Sequence, residues 1–296
     1  MATKKAVVES TEISITTLQE GEMTFCILGT SPLICNRMAM KAWHDLLMPY
    51  KKTAADKAGS LKHDPIAEFR ASPYLMRHAD APNGAEAPTA LAVLPTYFKQ
   101  AMCTAALRTP GAKKTEIAQL VNVQWDRMPV YGVPKVFCSI TRSADMNRTP
   151  DVRTRAIIPE WACVLKIRFQ KPILREQTIA DLLAIAGRVS GIGDWRQEKG
   201  SGSFGSFALV SADHPDFVRI MQLGREVQEY ALDNPEAYDE ETAELLSWFE
   251  VETKKRGFTV PGLSAERSPD FVGKPSDAAK KRRSVKGDEA VLGRYS

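Results

Sequence analysis

Residues 161–169 limit the possible folds more than any other stretch of this chain. Trp161, Cys163, Leu165, Ile167 and Phe169 alternate with Ala162, Val164, Lys166 and Arg168. Successive side chains of a strand point to opposite faces, so this period of two puts the first set on a core and the basic pair on the opposite side. A strand patterned this way needs a cover for its apolar face. The next segment supplies one, because Ile179, Leu182, Leu183, Ala186 and Val189 recur at helical spacing. Thr178, with Asp181 three residues on, predicts a capping box, and Gly191 predicts the helix end. A Gly-rich stretch follows, then a strand over 204–210.

The first part of the chain supplies the matching half. Ile13, Ile15 and Leu18, then the almost continuously apolar run 23–28, read as a strand pair over 11–29 with Glu20, Gly21 and Glu22 as the turn. Residues 38–62 read as helical, with Met40, Trp43, Leu46 and Leu47 at helical spacing and Pro49 as an interruption. The Ala-, Pro-, Asp- and Gly-rich residues 63–92 read as a loop or mobile insertion. Pro95 opens a helix with Phe98, Met102, Ala105 and Ala106 on its apolar stripe. Residues 117–123 have an ambiguous period, and 130–132 and 136–140 read as short strands. The polar stretch 141–157, with strands on both sides, predicts a basic hairpin arm or loop. Past residue 211, Asp213 is a plausible cap for a helix carrying Phe217, Ile220, Met221 and Val227. Asn234 and Pro235 break it, and an acidic helix over 236–256 carries Leu245, Leu246, Trp248 and Phe249.

The order strand, helix, strand, strand, helix, strand predicts an α+β fold. Its core is a ferredoxin-like, split βαβ arrangement of the RRM type over 1–211, with insertions at about 38–92 and 141–157. The sheet is expected to be antiparallel, with helices on one face and the other free for a partner. An acidic helical segment over 212–261 follows. Residues 262–296 lack hydrophobic periodicity and read as a disordered basic tail.

Charge and cysteine usage narrow the function classes. The tail has eight Lys/Arg against five Asp/Glu, and 212–261 has five against twelve. With a net charge of +4 overall, the body 1–211 carries +8. Such polarity points to a polyanion partner. The five cysteines are scattered without a CxxC pair, which argues against a zinc ribbon or redox motif and for buried, reduced thiols. No apolar run is long enough to span a membrane, and no signal-peptide core follows Met1, so the expected location is cytoplasmic. The four histidines, His44, His63, His78 and His214, read as surface or helix-terminal residues.

The segment 191–207 holds five glycines: Gly191, Gly193, Gly200, Gly202 and Gly205. Glycine permits positive φ and lets backbone amides approach a phosphate. Arg196 and Lys199 add charge, Trp195 and Phe204 offer faces for base stacking, and Phe207 reads as core. A Rossmann loop follows a strand and opens a helix, whereas this segment does the reverse. A P-loop ends Gly-Lys-Ser/Thr, and no such ending is present. No cofactor is therefore expected, and no metal. Asp194 and Glu198 beside Arg196 are the only hint of a metal-dependent nuclease, the weak enzymatic alternative to a non-enzyme.

A helix–Gly-rich loop–strand unit in this setting resembles the RAMP superfamily, which includes the Cas7-type backbone subunits of CRISPR effector complexes. Ser31, Pro32, Leu33, Ile34, Cys35, Asn36 and Arg37, together with Gly191, Ile192, Gly193, Asp194, Trp195 and Arg196, are similar to a group of bacteriophage proteins. The resemblance implies a non-catalytic protein that forms head-to-tail homo-oligomers and holds single-stranded nucleic acid, DNA or RNA, along a basic groove, in the host cytoplasm if phage-encoded. The nucleic-acid contacts it implies, taken with the charge pattern, are Arg142, Arg148, Arg153, Arg155, Lys166, Arg168, Gly191, Gly193, Trp195, Arg196, Lys199, Gly202 and Phe204. The alternative is a phage structural or protein-interaction factor that self-assembles without nucleic acid.

Overall fold

A computed structural model describes residues 17–48, 61–76, 87–124, 126–142, 150–199 and 202–258. The strand expected over 11–16 and the tail 262–296 lie outside them, as do Arg148 and Gly200. The chain is α+β, built on antiparallel sheets.

The largest sheet has four strands. They are β1 (Gln19–Gly29), β5 (Val121–Val123), β9 (Ala162–Lys171) and β10 (Phe207–Val210), in the order β10-β1-β9-β5, every pair antiparallel. β1 and β9 are paired from Gln19↔Lys171 through Leu28↔Ala162. The alternation read over 161–169 holds: Cys163, Leu165, Ile167 and Phe169 are fully buried, while Lys166 is half-buried and Arg168 exposed. Two helices join that apolar face in one core, α3 (Pro95–Ala106) through Phe98 and Met102, and α5 (Glu176–Val189) through Ile179, Leu182 and Ala186.

Several expectations are corrected. Glu20, Gly21 and Glu22 are not a turn but the first part of β1, with Gly21 opposite Phe169 and Glu22 opposite Arg168. Gly21 is there for space, since a Cβ would sit 2.7 Å from the Phe169 ring. α5 starts at Glu176, so Thr178 lies inside it, and Asp181 accepts from the Gln177 amide at 2.8 Å instead of closing a capping box. Residues 63–92 contain regular structure: α2 (Pro65–Ala71), β3 (Tyr74–Leu75) and β4 (Leu91–Val93). Asp64 caps α2, accepting from Ile66 N–H at 3.1 Å and Ala67 N–H at 3.0 Å. Residues 117–123 split into the end of α4 (Lys114–Leu120) and β5. The helix expected over 38–62 is described as α1 (Met40–Leu47), and 49–60 lie outside the described residues.

The opposite face of the four-stranded sheet is only partly open. α6 (Pro215–Ile220) lays Phe217 and Ile220 over Ala162, Val164, Cys26, Leu28 and Val210. His214, not Asp213, occupies the N-cap of α6, with no side-chain bond to the helix. α7 (Arg225–Asp233) docks on the body through Gln228. This fully buried amide accepts from Ala90 and Leu91 N–H (2.9 and 3.0 Å) and donates to Val130 and Gly132 O (2.8 and 3.0 Å).

Two three-stranded sheets flank this core. One joins β3, β4 and β6 (Met128–Pro129), and the other has the order β2-β8-β7, from β2 (Leu33–Ile34), β7 (Lys135–Arg142) and β8 (Pro150–Ile158). β7 and β8 pair as an antiparallel hairpin, and residues 143–149 lie outside the described residues. α8 (Glu240–Lys255) runs by β7, where Cys138 N–H donates to Thr242 Oγ1 at 3.2 Å.

Candidate nucleic-acid interface

The β7–β8 register puts Lys135, Phe137, Ser139, Arg153 and Arg155 on one face of the hairpin, with Phe137 directly opposite Arg155 and Ser139 opposite Arg153. The Gly-rich segment packs against this face. Phe137 meets Trp195 edge-on at 6.1 Å between ring centroids, Phe204 at 6.3 Å and Tyr238 at 5.8 Å. All four rings are half-buried. The sequence pointed to Trp195 and Phe204. Phe137 and Tyr238 were not expected here, because only the hairpin register and the turn before α8 bring them in.

Charged side chains share this hairpin face with Phe137. Arg155 is buried, 9% exposed, and its Nη1 donates to Asp194 Oδ2. Burial leaves the Arg155 pKa lowered, with Asp194 offsetting part of the effect and Arg153 adding to it. Arg153, two residues along the same face, is exposed, and no carboxylate among the described residues lies within ion-pair distance of it. Lys135 reaches Glu236 at 3.5 Å. Arg142 is the last residue of β7.

The glycines are there because the segment folds tightly on itself and on β2. Gly191, Gly193 and Gly205 have φ of 66°, 79° and 71°, and Trp195 holds a left-handed φ of 50°. A Cβ on Gly202 would lie 1.5 Å from Trp195 O, and one on Gly193 2.6 Å from Ile34 O. The amides are largely spent: Gly191 donates to Ala186 O (3.0 Å), Ile192 to Gly205 O (2.9 Å), Asp194 to Ile34 O (3.1 Å) and Gly205 to Pro32 O (2.8 Å). A phosphate held by the Gly191 or Gly205 amide would have to break one of these bonds. Arg196 donates from Nε to Glu198 (2.8 Å) and from Nη1 to Gly193 O (3.0 Å), while Lys199 is exposed.

Lys166 and Arg168 lie apart from this cluster. Lys166 Nζ is 2.6 Å and Arg168 Nε 3.1 Å from the Glu22 carboxylate. Among the described residues, no hydrogen bond or ion pair links them to the hairpin or the Gly-rich segment. Asp194 and Glu198 are likewise separately engaged, Asp194 by Arg155 and Glu198 by Arg196 and Thr104 Oγ1 at 3.0 Å. Among the described residues, no group of three or more His, Cys, Asp or Glu could hold a metal ion.

These ion pairs set an acid limit. Lys166 first, then Arg168 and Gln124, hold the Glu22 carboxyl below its ordinary range. Lys62 does the same for Asp151, assisted by His63. Burial pushes Glu198 up, but Arg196 and Thr104 outweigh it and leave it lowered. A carboxylate with a lowered folded pKa contributes stability that is complete above the unfolded value, about 4, and is lost as pH falls through the folded value. Urea midpoints are therefore expected to be flat from pH 7 to about 5 and to drop below about 4. The variant E22Q/D151N/E198Q should show a shallower drop, and an equal slope would contradict the pairing.

No family model matches this sequence, and no curated protein matches it. Among solved structures, the chain is similar to the crystal structure of Cmr6 from Pyrococcus furiosus, at 13% identity over 66% of this chain and all of that one. The TM-score is 0.28, a likeness too slight to carry an argument about fold or function. No helix among the described residues is long and apolar enough to cross a membrane.

Proposed function

We propose that this chain is a non-catalytic, single-stranded nucleic-acid-binding protein whose contact surface is the hairpin β7–β8 together with the segment 191–207. One observation carries the reading: four half-buried rings, Phe137, Trp195, Phe204 and Tyr238, cluster on the hairpin face that also carries an exposed Arg153 and a buried Arg155. Aromatic faces stack on any base and guanidinium groups pair with phosphates, so together they hold a single strand with little sequence preference. Lys199 and Arg196 extend the cationic surface along the segment, and Arg142, which ends β7, and Arg148 are proposed as further phosphate contacts. Lys166 and Arg168 form a second basic patch whose role depends on exchanging Glu22 for phosphate.

The core of this reading is a ferredoxin-like domain. Its support is the element order with strand order β10-β1-β9-β5, in which the first and third core strands are central. The resemblance of the Gly-rich loop to Cas7-type subunits supports a head-to-tail homo-oligomer along the strand. The residues similar to phage proteins support a phage-encoded chain acting in the host cytoplasm.

Fluorescence anisotropy with a labelled 30-nucleotide single strand, DNA and RNA in turn, tests the function. Affinity should fall steeply between 50 and 300 mM salt. Phe204→Ala should weaken binding about 5- to 150-fold, the equivalent of one lost base stack at about 1–3 kcal/mol. Arg153→Ala should flatten the salt slope by about one. Absence of binding at 50 mM salt, or binding indifferent to salt, would overturn the proposal.

A second reading, self-assembly without nucleic acid, is favoured by α1. Its Trp43, Leu46 and Leu47 are 49%, 68% and 74% exposed, as an interface helix would be. It requires sedimentation to show oligomers in nucleic-acid-free protein that Leu47→Ser disperses.

A further inference from the structure

We infer that the outer face of α8 is a docking surface for a basic, leucine-bearing polypeptide segment of a partner protein. The inference does not depend on the nucleic-acid reading.

α8 has two distinct faces. Thr242, Leu246, Phe249 and Thr253 recur at steps of four, three and four, the spacing of one helical stripe. Thr242 and Thr253 are buried, and Leu246 packs against the main core. Asp239 caps the helix by accepting from Thr242 N–H at 2.8 Å. The inner face is therefore fully accounted for.

On the outer face, Leu245, Trp248 and Val251 are 43%, 63% and 67% exposed. Each step of three residues turns about 300° and rises about 4.5 Å, so the three form a ridge that winds from the flank of the buried stripe at Leu245 to the opposite side of the helix at Val251. Glu241 and Glu244 interleave with it, and Glu240 flanks it at the helix start. Among the described residues, these three glutamates have no ion-pair partner, whereas Glu250 and Glu252 at the other end are paired with Lys254, Lys255 and Arg256. The first three turns thus combine apolar anchors with unneutralised negative charge.

That combination specifies the partner. A tryptophan left in water on a helix's outer side is the residue type that most often dominates an interface once covered. The glutamates repel a phosphodiester backbone or an anionic lipid surface, so neither is the occupant. A segment with Lys or Arg around apolar side chains satisfies both halves of the face, with charge guiding encounter and the ridge supplying affinity.

The test titrates the full chain with an 18-residue helical peptide carrying leucines on one side and lysines on the other, by isothermal titration calorimetry. Two control peptides replace Lys with Glu or Leu with Ser. Saturable one-to-one binding of the first peptide only is expected. Trp248→Ser should weaken it at least about tenfold, and E241Q/E244Q should remove most of its salt dependence. Trp248 is exposed, so unchanged urea midpoints in both variants will show that folding is not the cause. Equal affinity for wild type and Trp248→Ser would overturn the proposal, as would binding of the Glu peptide. So would self-association of the protein, abolished by Trp248→Ser, with no peptide binding. Single-strand affinity should not change in either variant, which keeps this outcome separate from the nucleic-acid test.

Discussion

Alanine at Gly205 is expected to destabilise the chain by about 3–5 kcal/mol, a large share of the 5–15 kcal/mol typical of a folded domain. Two effects combine. The first is conformational: Gly205 has φ +71°, and an L-residue pays about 1–2 kcal/mol there. The second is steric, since the new Cβ would sit 1.7 Å from Ile192 O. Relieving that clash breaks the Ile192 N–H bond to Gly205 O and the Gly205 N–H bond to Pro32 O, at 2.9 and 2.8 Å. The first closes the segment on itself, and the second ties it to Pro32, the residue before β2. Gly111→Ala provides the internal control. It has φ +82° with nothing within 4 Å of the added Cβ, so it should cost only the conformational part, about 1–2 kcal/mol. Urea denaturation of both variants measures the difference. Equal losses would mean that the segment yields freely at Gly205 and is not packed as described.

How far the sequence reveals this architecture depends on where each signal comes from. β9 was legible because its alternation is local and its two faces differ in chemistry. The start of α3 was legible because Pro95 at the first helical position is a local device. Asp64 and Pro65 carry the same kind of signal for α2, but it was masked by the surrounding Ala, Pro and Gly. The reading of Glu20, Gly21 and Glu22 as a turn failed for a tertiary reason. Gly21 accommodates the Phe169 ring and Glu22 meets Arg168, and both partners lie almost 150 residues away. The candidate site divides in the same manner. Trp195, Arg196 and Phe204 stood out in a Gly-rich setting, while Phe137 and Tyr238 join them only through the hairpin register and the α8 turn. In the sequence Arg155 is one basic residue among four in 141–157. Its burial could not be read from 141–157, because Asp194 lies 39 residues on.

Arg155 gives the second large effect. Arg155→Ala is expected to cost about 3 kcal/mol or more, because it leaves the Asp194 carboxylate without its cation in a site where both side chains are mostly shielded, 10% and 22% exposed. Asp194 also donates its N–H to Ile34 O, so the same residue fastens the Gly-rich segment to β2 by its backbone and to β8 by its side chain. Asp194→Asn keeps the size but loses the charge, and strands Arg155 instead. The double variant R155A/D194N removes both unpaired charges, so its loss should be smaller than the sum of the two single losses by about 1–3 kcal/mol. Additive losses would show that the pair contributes no coupling. The two roles of Arg155, structural strut and phosphate contact, then separate by comparison with Arg153. Arg153→Ala should leave the urea midpoint nearly unchanged and change the salt slope of strand binding. Arg155→Ala should lower the midpoint, and Arg155→Met, which refills the volume, should recover part of it without restoring affinity. If Arg155→Met binds a single strand as tightly as wild type, Arg155 is a strut alone, and the cationic part of the surface is carried by Arg153 and its exposed neighbours.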